Sequence, residues 1–298
     1  IRVIAGLSKG EGTAALLLQD ADLECPEEAE ALAIWKLEKE EKPTWVINGF
    51  DDRGLMYGLL EVAEKIGWST VKDDPFSEVE PVIEKPDVTT RAISMYTMNR
   101  RYWESRFYDE AYWKAYLDLL ASNRFNSVVV IFGYENAGFL APCYPYFFDV
   151  DGYPGIGMEG MTPAEQQRNL AALNRMIEMA HERGLDFKVA IWDHIYRGGV
   201  QTGGTSEEEL ARQSKNHLVG GLDAENLSAY TKAALAKFIQ LVPHLDGIQL
   251  RMHNESGLKR GEEMELFWRE VFGMIKITAP ELQIDLRAKE LPESIIRI

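Results

Sequence analysis

Apolar runs alternate with amphipathic segments along the second two-thirds of the chain. The apolar runs predict β-strands at residues 91–98, 127–132, 187–192, 247–250 and 282–286. Apolar residues at helical spacing predict helices over residues 110–122, 162–183, 227–241 and 262–275. The run SVVVIF (127–132) is typical of a strand that a parallel sheet buries on both faces. This order predicts five successive βα units, and therefore an α/β fold with a parallel sheet.

The first part of the chain predicts a smaller α/β unit. Strands are predicted at residues 1–7, 31–37 and 44–47. A helix follows, capped by Asp51 or Asp52 and ended at Gly67. Residues 72–87 carry three prolines among acidic residues without any periodicity, which is typical of a linker. We therefore predict two domains, residues 1–87 and residues 88–298.

A parallel sheet of this kind occurs in doubly wound open folds and in (β/α)₈ barrels. No G-x-G-x-x-G motif directly follows a predicted strand, which removes the main support for a dinucleotide-binding sheet. Long loops rich in glycine and aromatic residues follow the second and third of these strands, as in barrels that carry their site at the strand ends. We expect a (β/α)₈ TIM-type barrel of which about five units lie in this chain, and hence a part of a longer protein.

The charge balance excludes two classes of partner. The chain has 32 Lys and Arg against 48 Asp and Glu, which gives a net charge of −16 without any basic run. Such a chain repels a phosphate backbone, so we expect no nucleic-acid partner. No apolar stretch approaches the roughly 18 residues of a membrane-spanning helix, so we expect no membrane partner either.

The cysteines and the N-terminus bear on the cellular compartment. Cys25 and Cys143 fall in different predicted domains and neither belongs to a C-x-x-C pair, which excludes a disulfide framework and a zinc knuckle. Two cysteines fit a cytoplasmic protein as well as a secreted or periplasmic one. The chain begins with Ile1 rather than Met, so we expect a processed or trimmed N-terminus.

Polar and aromatic residues gather at the ends of the predicted strands, where a barrel has its pocket. The candidates for substrate binding or catalysis are Asn99, Arg100, Tyr134, Glu135, Trp192, Asp193, His194, Arg197, Arg251, His253, Asn254, Glu255, Lys289 and Glu290. Flat sugar faces stack on aromatic rings, and sugar hydroxyls need fixed polar partners. This mixture of residues therefore indicates a carbohydrate substrate.

The segment RMHNESG (251–257) follows the fourth of these strands and contains Glu255. Glycosidic cleavage needs a carboxylic acid that protonates the leaving oxygen, and a glutamate at a strand end has the reach for that role. The alternative is a loop carboxylate that only accepts hydrogen bonds from backbone amides. Asp193 and Glu290 are further catalytic candidates, although Asp193 could instead cap a loop and Glu290 could be the solvated start of a helix.

Two other groups of residues leave alternatives open. Basic residues at the strand ends (Arg100, Arg197, Arg251 and Lys289) suit the carboxylate of a uronic acid, or else they pair with neighbouring acidic residues. The aromatic residues of segment 144–153 either pack inward or form a binding platform.

Two sequence segments resemble a group of known enzymes. GFDDRGLMYGLLEVAE (49–64), followed by a barrel that opens with TTRAISMY (89–96), is similar to the glycoside hydrolases around the α-glucuronidases and β-hexosaminidases. The loop CYPYFFDVDGYP (143–154) also resembles carbohydrate-facing loops of such barrels. The resemblance implies a hexosaminidase-like accessory domain before a catalytic (β/α)₈ barrel, with the general acid at the end of the fourth barrel strand. That position is Glu255 in this chain.

The same comparison separates this chain from the hexosaminidases in one respect. The α-glucuronidase signature at the fourth strand runs roughly Asn-Ser-Glu-Gly, whereas this chain reads Asn-Glu-Ser-Gly at 254–257. The hexosaminidase Asp-Glu pair is absent because Asn254 replaces its aspartate, which argues against substrate-assisted hexosaminidase chemistry. In the α-glucuronidases the catalytic base lies on later strands than those present here.

These observations predict a glycoside hydrolase that acts on a polysaccharide or oligosaccharide, including uronic-acid-containing ones, without a cofactor or a metal. One alternative is a metal-dependent barrel sugar enzyme of the isomerase or aldolase type, with Asp193, His194, His253 and Glu255 as metal ligands. A second alternative is a non-catalytic carbohydrate-binding protein that kept the pocket and lost the catalytic base.

Overall fold

A computed structural model describes residues 1–38, 42–96, 105–132, 143–158, 160–192, 219–222, 225–252, 262–288 and 293–297. The chain divides into two compact units. Unit 1 comprises Ile1–Arg91 and Asp118–Asn126, and unit 2 comprises Ala92–Leu117 and Ser127–Ile298. The accessory role assigned above to residues 1–87 and the catalytic role assigned to residues 88–298 stay predictions.

Unit 1 contains a four-stranded mixed sheet. Its strands are β1 (Arg2–Leu7), β2 (Leu32–Leu37), β3 (Thr44–Gly49) and β4 (Val82–Glu84), in the order β1-β3-β2-β4. β1 is parallel to β3, and β2 is antiparallel to both β3 and β4. Helix α1 (Thr13–Ala21) follows β1, and α2 (Asp52–Trp68) follows β3. The first three strands were predicted from the sequence and are confirmed, whereas α1 and β4 were not predicted.

Asp51 caps the start of α2 and also binds the backbone just before β2. The Asp51 carboxylate accepts hydrogen bonds from the backbone N–H of Gly54 and of Glu30, each at 2.8 Å, which confirms the predicted cap. The predicted end at Gly67 is wrong, because Gly67 keeps a negative φ and the helix continues to Trp68. An apolar core between α2 and the sheet includes Ile47 and Tyr57.

Unit 2 is built on a parallel sheet. The strands of this unit are β5 (Ala92–Tyr96), β6 (Ser127–Phe132), β7 (Gly157–Met158), β8 (Asp186–Trp192), β9 (Val219–Gly220), β10 (Gly247–Met252) and β11 (Gln283–Ala288). The helices after β5 are α3 (Glu110–Ser122), α4 (Pro163–His181), α5 (Leu227–Leu241), α6 (Glu262–Thr278) and α7 (Glu293–Ile296). Five strands form one parallel sheet in the order β11-β10-β8-β6-β5. The predicted alternation of strands and helices is confirmed.

The sheet of unit 2 is open, with β5 and β11 at its two edges. One of its faces is apolar throughout the middle strands, where Val189, Ile248 and Leu250 are fully buried. The other face combines the small apolar cluster of Val129, Ile131 and Ala190 with polar residues. The described residues do not close the sheet into a barrel. No helix in the described ranges has the length and apolar character needed to span a membrane.

The aromatic segment after β6 packs inward. Four of its aromatic side chains, all except Tyr153, are at most 7% exposed. The ring centroid of Tyr144 lies 6.4 Å from that of Tyr230 and 6.1 Å from that of Phe238, both on α5. Tyr153 makes an edge-to-face contact with Tyr230 at 5.4 Å. The inward-packing alternative is therefore right for these residues, and a sugar-binding platform made of the four buried rings is excluded.

Burial also makes the cysteine of this segment unreactive. Desolvation raises the pKa of the Cys143 thiol to about 12, and it raises the pKa of Tyr144 and Tyr230 as well. A thiol with such a pKa stays protonated at neutral pH, and the thiolate is the nucleophilic form. Cys143 is therefore a core residue and not a catalytic nucleophile.

Strands β7 and β9 form a short antiparallel ribbon that connects the segments before α4 and α5. Gly221 follows β9 with a φ of +84°, and a Cβ there would lie 2.0 Å from the Gly155 carbonyl oxygen. Only glycine fits this position, since it accepts a positive φ and has no side chain to collide with that oxygen. The ribbon holds the two segments together outside the main sheet.

We expect a pH-dependent contribution to stability from the ion pair that links α5 and α6. Glu270 accepts hydrogen bonds from Lys232 at 2.7 Å and Ser228 at 2.8 Å, and the Lys232 and Ser228 bonds lower its pKa. A carboxyl whose pKa is lower in the folded state stabilises the fold above its unfolded pKa, and this contribution disappears as the pH falls through the folded value. Glu270→Gln should therefore lower the free energy of unfolding at pH 7 by less than about 1 kcal/mol, since the pair is about one-third exposed.

Urea unfolding of the wild type and of Glu270→Gln at several pH values tests this expectation. The difference between the two proteins should shrink as the pH is lowered below about 4, near the ordinary pKa of a glutamate. A difference that stays constant with pH would contradict the assigned role of the Glu270 carboxylate.

Candidate active site at the carboxyl ends of the parallel strands

The register of the parallel sheet brings the carboxyl ends of its strands to one edge, here named the carboxyl edge. The paired positions nearest to it are Tyr96 with Ile131, Phe132 with Ile191, Trp192 with Arg251, and Met252 with Ala288. Every pair contains the last residue of a strand. Segments that follow the strands therefore start from a common edge, which is where parallel α/β sheets and barrels bind their ligands.

Two of the predicted site residues, Trp192 and Arg251, lie in described strands. Trp192 ends β8, and Arg251 is the register partner of Trp192 one residue before the end of β10. The remaining candidates lie outside the described residues: Asn99, Arg100, Tyr134, Glu135, Asp193, His194, Arg197, His253, Asn254, Glu255, Lys289 and Glu290. Their roles stay predictions, and so does the role assigned to Glu255.

A third residue extends the row formed by Trp192 and Arg251. Arg287 in β11 is the register partner of Arg251, and its side chain is exposed. Two arginine positions thus lie side by side on neighbouring strands, next to a tryptophan position on β8 and close to the carboxyl edge. Guanidinium groups bind carboxylates through two parallel hydrogen bonds, and indole rings stack on sugar faces. The row therefore combines two arginine positions with one tryptophan position.

A charged pair that the sequence reasoning missed lies deeper in the same sheet. The Lys188 Nζ of β8 is 3.1 Å from the Asp285 Oδ2 of β11. The Lys188 side chain is 6% exposed and the Asp285 side chain 42%. The signal that could have found it is a charged residue at an inner position of an otherwise apolar strand, in FKVAIW (187–192) and LQIDL (282–286).

Two surface grooves in the described part of the chain are lined by residues away from the carboxyl edge. Among the described residues, no group of three or more His, Cys, Asp or Glu could hold a metal ion. The proposed metal ligands Asp193, His194, His253 and Glu255 lie outside those residues. One surface groove is lined by α5 residues including Lys237, and another by Leu245, Asp246 and Gln283 at the amino ends of β10 and β11. The second groove lies at the sheet edge opposite to the carboxyl edge.

Known structures share this fold at low sequence identity. No family model and no curated protein matches the chain. A GH138 enzyme targeting pectin rhamnogalacturonan II is 17% identical with a TM-score of 0.66, and the match covers 100% of this chain and 36% of that one. A β-N-acetylhexosaminidase is 14% identical with a TM-score of 0.55, covering 88% of this chain and 59% of the other. The chain thus spans little more than a third of the first structure and has the fold of part of both enzymes.

Proposed function

We propose that this chain belongs to a glycoside hydrolase that cleaves glycosidic bonds in a polysaccharide or oligosaccharide. The observation that carries the proposal is the common carboxyl edge of five parallel strands, from which the candidate catalytic and sugar-binding segments start. Two structures that share the fold are glycoside-cleaving enzymes by their descriptions, which supports a carbohydrate substrate. Hydrolysis at such a site needs neither a cofactor nor a metal.

Glu255 is the proposed general acid. It comes three residues after Met252, the last residue of β10, and three residues span at most about 11 Å. A carboxylic acid in this role donates a proton to the oxygen of the leaving group as the glycosidic bond breaks. The sugar then carries positive charge at its anomeric carbon, and a second carboxylate must stabilise that charge or activate the water that attacks it.

The second carboxylate is assigned to Glu290 or Asp193, or to a residue on a later strand. Glu290 follows Ala288, the end of β11, by two residues, and Asp193 directly follows Trp192 at the end of β8. Strands β8 and β11 are the two neighbours of β10 in the sheet. Each candidate carboxylate therefore follows a strand that is adjacent to β10, the strand that precedes Glu255. The separation between the two carboxyl groups determines whether the enzyme retains or inverts the anomeric configuration.

We also propose that the sheet is part of a (β/α)₈ barrel. Ile284 and Leu286 of β11 are 37% and 39% exposed, whereas their register partners Ile248 and Leu250 on β10 are fully buried. Exposed apolar residues on an unpaired edge strand are unfavourable, and a further parallel strand beside β11 would cover them. The carboxyl edge would then become the mouth of the barrel, where barrel enzymes have their active sites.

The proposed substrate class is a glycoside that contains a uronic acid. Arg251 and Arg287 occupy adjacent register positions near the carboxyl edge, although the chain as a whole carries a net charge of −16. Two guanidinium groups on neighbouring strands would hold a uronate carboxylate through parallel hydrogen bonds.

We expect Arg287→Gln to raise KM for a uronide at least tenfold and to change KM for the matching neutral glycoside less than twofold. A charge-assisted hydrogen bond contributes about 1.5–3 kcal/mol, which corresponds to a factor of ten or more. Arg269→Gln, at an exposed position of α6, is the matched control and should leave both KM values unchanged. Equal effects of Arg287→Gln on charged and neutral substrates would contradict a carboxylate-binding role.

A screen of the full-length protein against aryl glycosides tests the proposed function directly. The set should include glucuronides and galacturonides together with the corresponding neutral glycosides. We expect turnover of at least one uronide, without added metal and in the presence of a chelator. Activity that a chelator abolishes, together with stoichiometric divalent metal, would replace the proposal with the metal-dependent sugar enzyme. Sugar binding without turnover would leave only a carbohydrate-binding protein.

A further inference from the structure

Lys188 is a buried charged residue at the centre of the parallel sheet. It lies in β8, the middle strand, and the residue is 5% exposed. An ammonium group in such a place is unfavourable unless a partner of opposite charge compensates for its lost hydration. The partner is the carboxylate of Asp285, at 3.1 Å.

The path from Lys188 to Asp285 crosses the strand between them. β10 separates β8 from β11, so the side chain has to bridge two strand spacings, about 10 Å. The residue of β10 in register with Lys188 is Gly247. A Cβ at Gly247 would lie 3.3 Å from the Lys188 Cδ and 2.9 Å from the Gln283 carbonyl oxygen. The absence of a side chain at Gly247 therefore leaves room for the lysine to reach Asp285.

The two charges differ in their access to solvent. The Lys188 side chain is 6% exposed, whereas the Asp285 side chain is 42% exposed. Asp285 lies two residues before Arg287 in β11, and alternation along a strand places the two on the same face, with Arg287 nearer to the carboxyl edge. Lys188 is in register with Gln283 through Gly247, so it holds the Asp285 carboxylate two positions closer to the carboxyl edge than its own level in the sheet.

We propose that Asp285 binds a hydroxyl group of the sugar substrate and that Lys188 is the residue that positions Asp285. This inference rests on the proposed function, because the sugar is the substrate assigned there. An ionised carboxylate accepts hydrogen bonds from sugar hydroxyls, and such charge-assisted bonds are among the stronger ones. The ion pair with Lys188 limits the rotamers of the Asp285 carboxylate, so that the hydroxyl meets an acceptor that is already in place.

Substitutions in a purely structural ion pair and in a substrate-binding one are expected to have different effects on KM and on the melting temperature. In the structural case, variants change the melting temperature and leave KM as in the wild type. In the binding case, KM rises while the protein stays folded. The two cases are separable because both charges can be replaced together by apolar residues, which often preserves or increases stability.

The experiment compares kcat, KM and melting temperature for the full-length wild type and three variants, Asp285→Asn, Lys188→Met and the double variant Lys188→Met/Asp285→Leu. The substrate is the aryl glycoside that the wild type hydrolyses best. We expect KM to rise about tenfold or more in each variant. The double variant should be no worse than Asp285→Asn, since Lys188 acts through Asp285. Lys232→Met, which removes the exposed ion pair with Glu270 at 2.7 Å, is the matched control and should keep the wild-type KM.

The outcomes distinguish this inference from the proposed function. A KM within twofold of the wild type in the folded double variant would overturn the substrate-binding role and leave the hydrolase proposal intact. If Asp285→Asn fails to fold, the double variant still decides the matter. A wild-type protein that hydrolyses no glycoside would overturn the proposed function, and this inference with it.

Discussion

Glu255→Gln is expected to lower kcat by about 10²–10⁴-fold on a glycoside with a poor leaving group, which is the usual contribution of a general acid. Glutamine has nearly the same shape as glutamate and keeps hydrogen-bonding groups, but it has no acidic proton to give to the leaving oxygen. The substitution should therefore affect the chemical step more than substrate binding, and KM should change little. Steady-state kinetics with the substrate found in the aryl glycoside screen measures both constants.

Glu281→Gln is the matched control for this variant. Glu281 is exposed and lies between α6 and β11, at the edge of the sheet opposite to the carboxyl edge. The same change of charge and shape at this position should leave kcat as in the wild type. A full kcat in Glu255→Gln, or an equal loss in both variants, would contradict the general-acid role of Glu255.

Gly54→Ala is expected to destabilise unit 1 by about 3 kcal/mol or more, which lies at the upper end of the usual overpacking range. A Cβ at Gly54 would lie 2.1 Å from the Ala31 carbonyl oxygen and 3.0 Å from the Ala31 carbonyl carbon. Both are backbone atoms, so a change of rotamer cannot relieve the overlap, and the first turn of α2 has to move. That movement would also break the hydrogen bond from the Gly54 N–H to the Asp51 carboxylate. Chemical denaturation followed by circular dichroism measures the loss.

Gly67→Ala, in the same helix, is expected to have the opposite effect on the stability of the protein. A Cβ at Gly67 would meet no atom within 4 Å, and the residue lies inside α2. Alanine should therefore stabilise the protein by about 0.5–1 kcal/mol, because it restricts the unfolded chain more than glycine does. Destabilisation by Gly67→Ala, or a Gly54→Ala protein as stable as the wild type, would contradict this packing of α2.

Most of the sheet of unit 2 could be predicted because its strands are short, continuous apolar runs. SVVVIF needs both of its faces buried, and β6 has the predicted bounds Ser127–Phe132. Helix α4 carried an equally clear signal, since Thr162 and Glu165 form the reciprocal hydrogen bonds of a capping box. Local patterns of this kind determine local structure almost on their own.

The elements that were missed carry weak local signals. Helix α1 has Gly12 at its N-cap without a side-chain cap, and Leu16 on its apolar stretch is 47% exposed. Its buried residues include the small Ala14 and Ala15, which pack without producing a clear apolar stripe. The orientation of the aromatic segment after β6 could not be predicted either, because its burial depends on α5, more than 70 residues further along the chain.

The same distinction applies to the site, where some residues are recognisable from a short segment and others only from the pairing of strands. The sequence indicated which residues follow the strands, and the register then showed that Arg251 and Arg287 are neighbours. Lys188 and Asp285 each stand out as a charged residue inside an apolar strand, but their pairing could not be predicted, because it depends on the strand order and on the glycine at position 247 of the strand between them. Contacts between strands follow from the pairing of the sheet, which no short segment of the sequence encodes.

The dependence of the rate on the leaving group is the most direct test of the central claim, that the carboxyl edge carries a general acid. A series of aryl glycosides with the same sugar and phenols of increasing pKa should be compared in the wild type and in Glu255→Gln. We predict that the loss of activity in the variant is small for the most acidic phenol and grows steadily as the phenol becomes less acidic, since only poor leaving groups need protonation. A loss of the same size across the whole series would contradict the assignment of Glu255 as the acid.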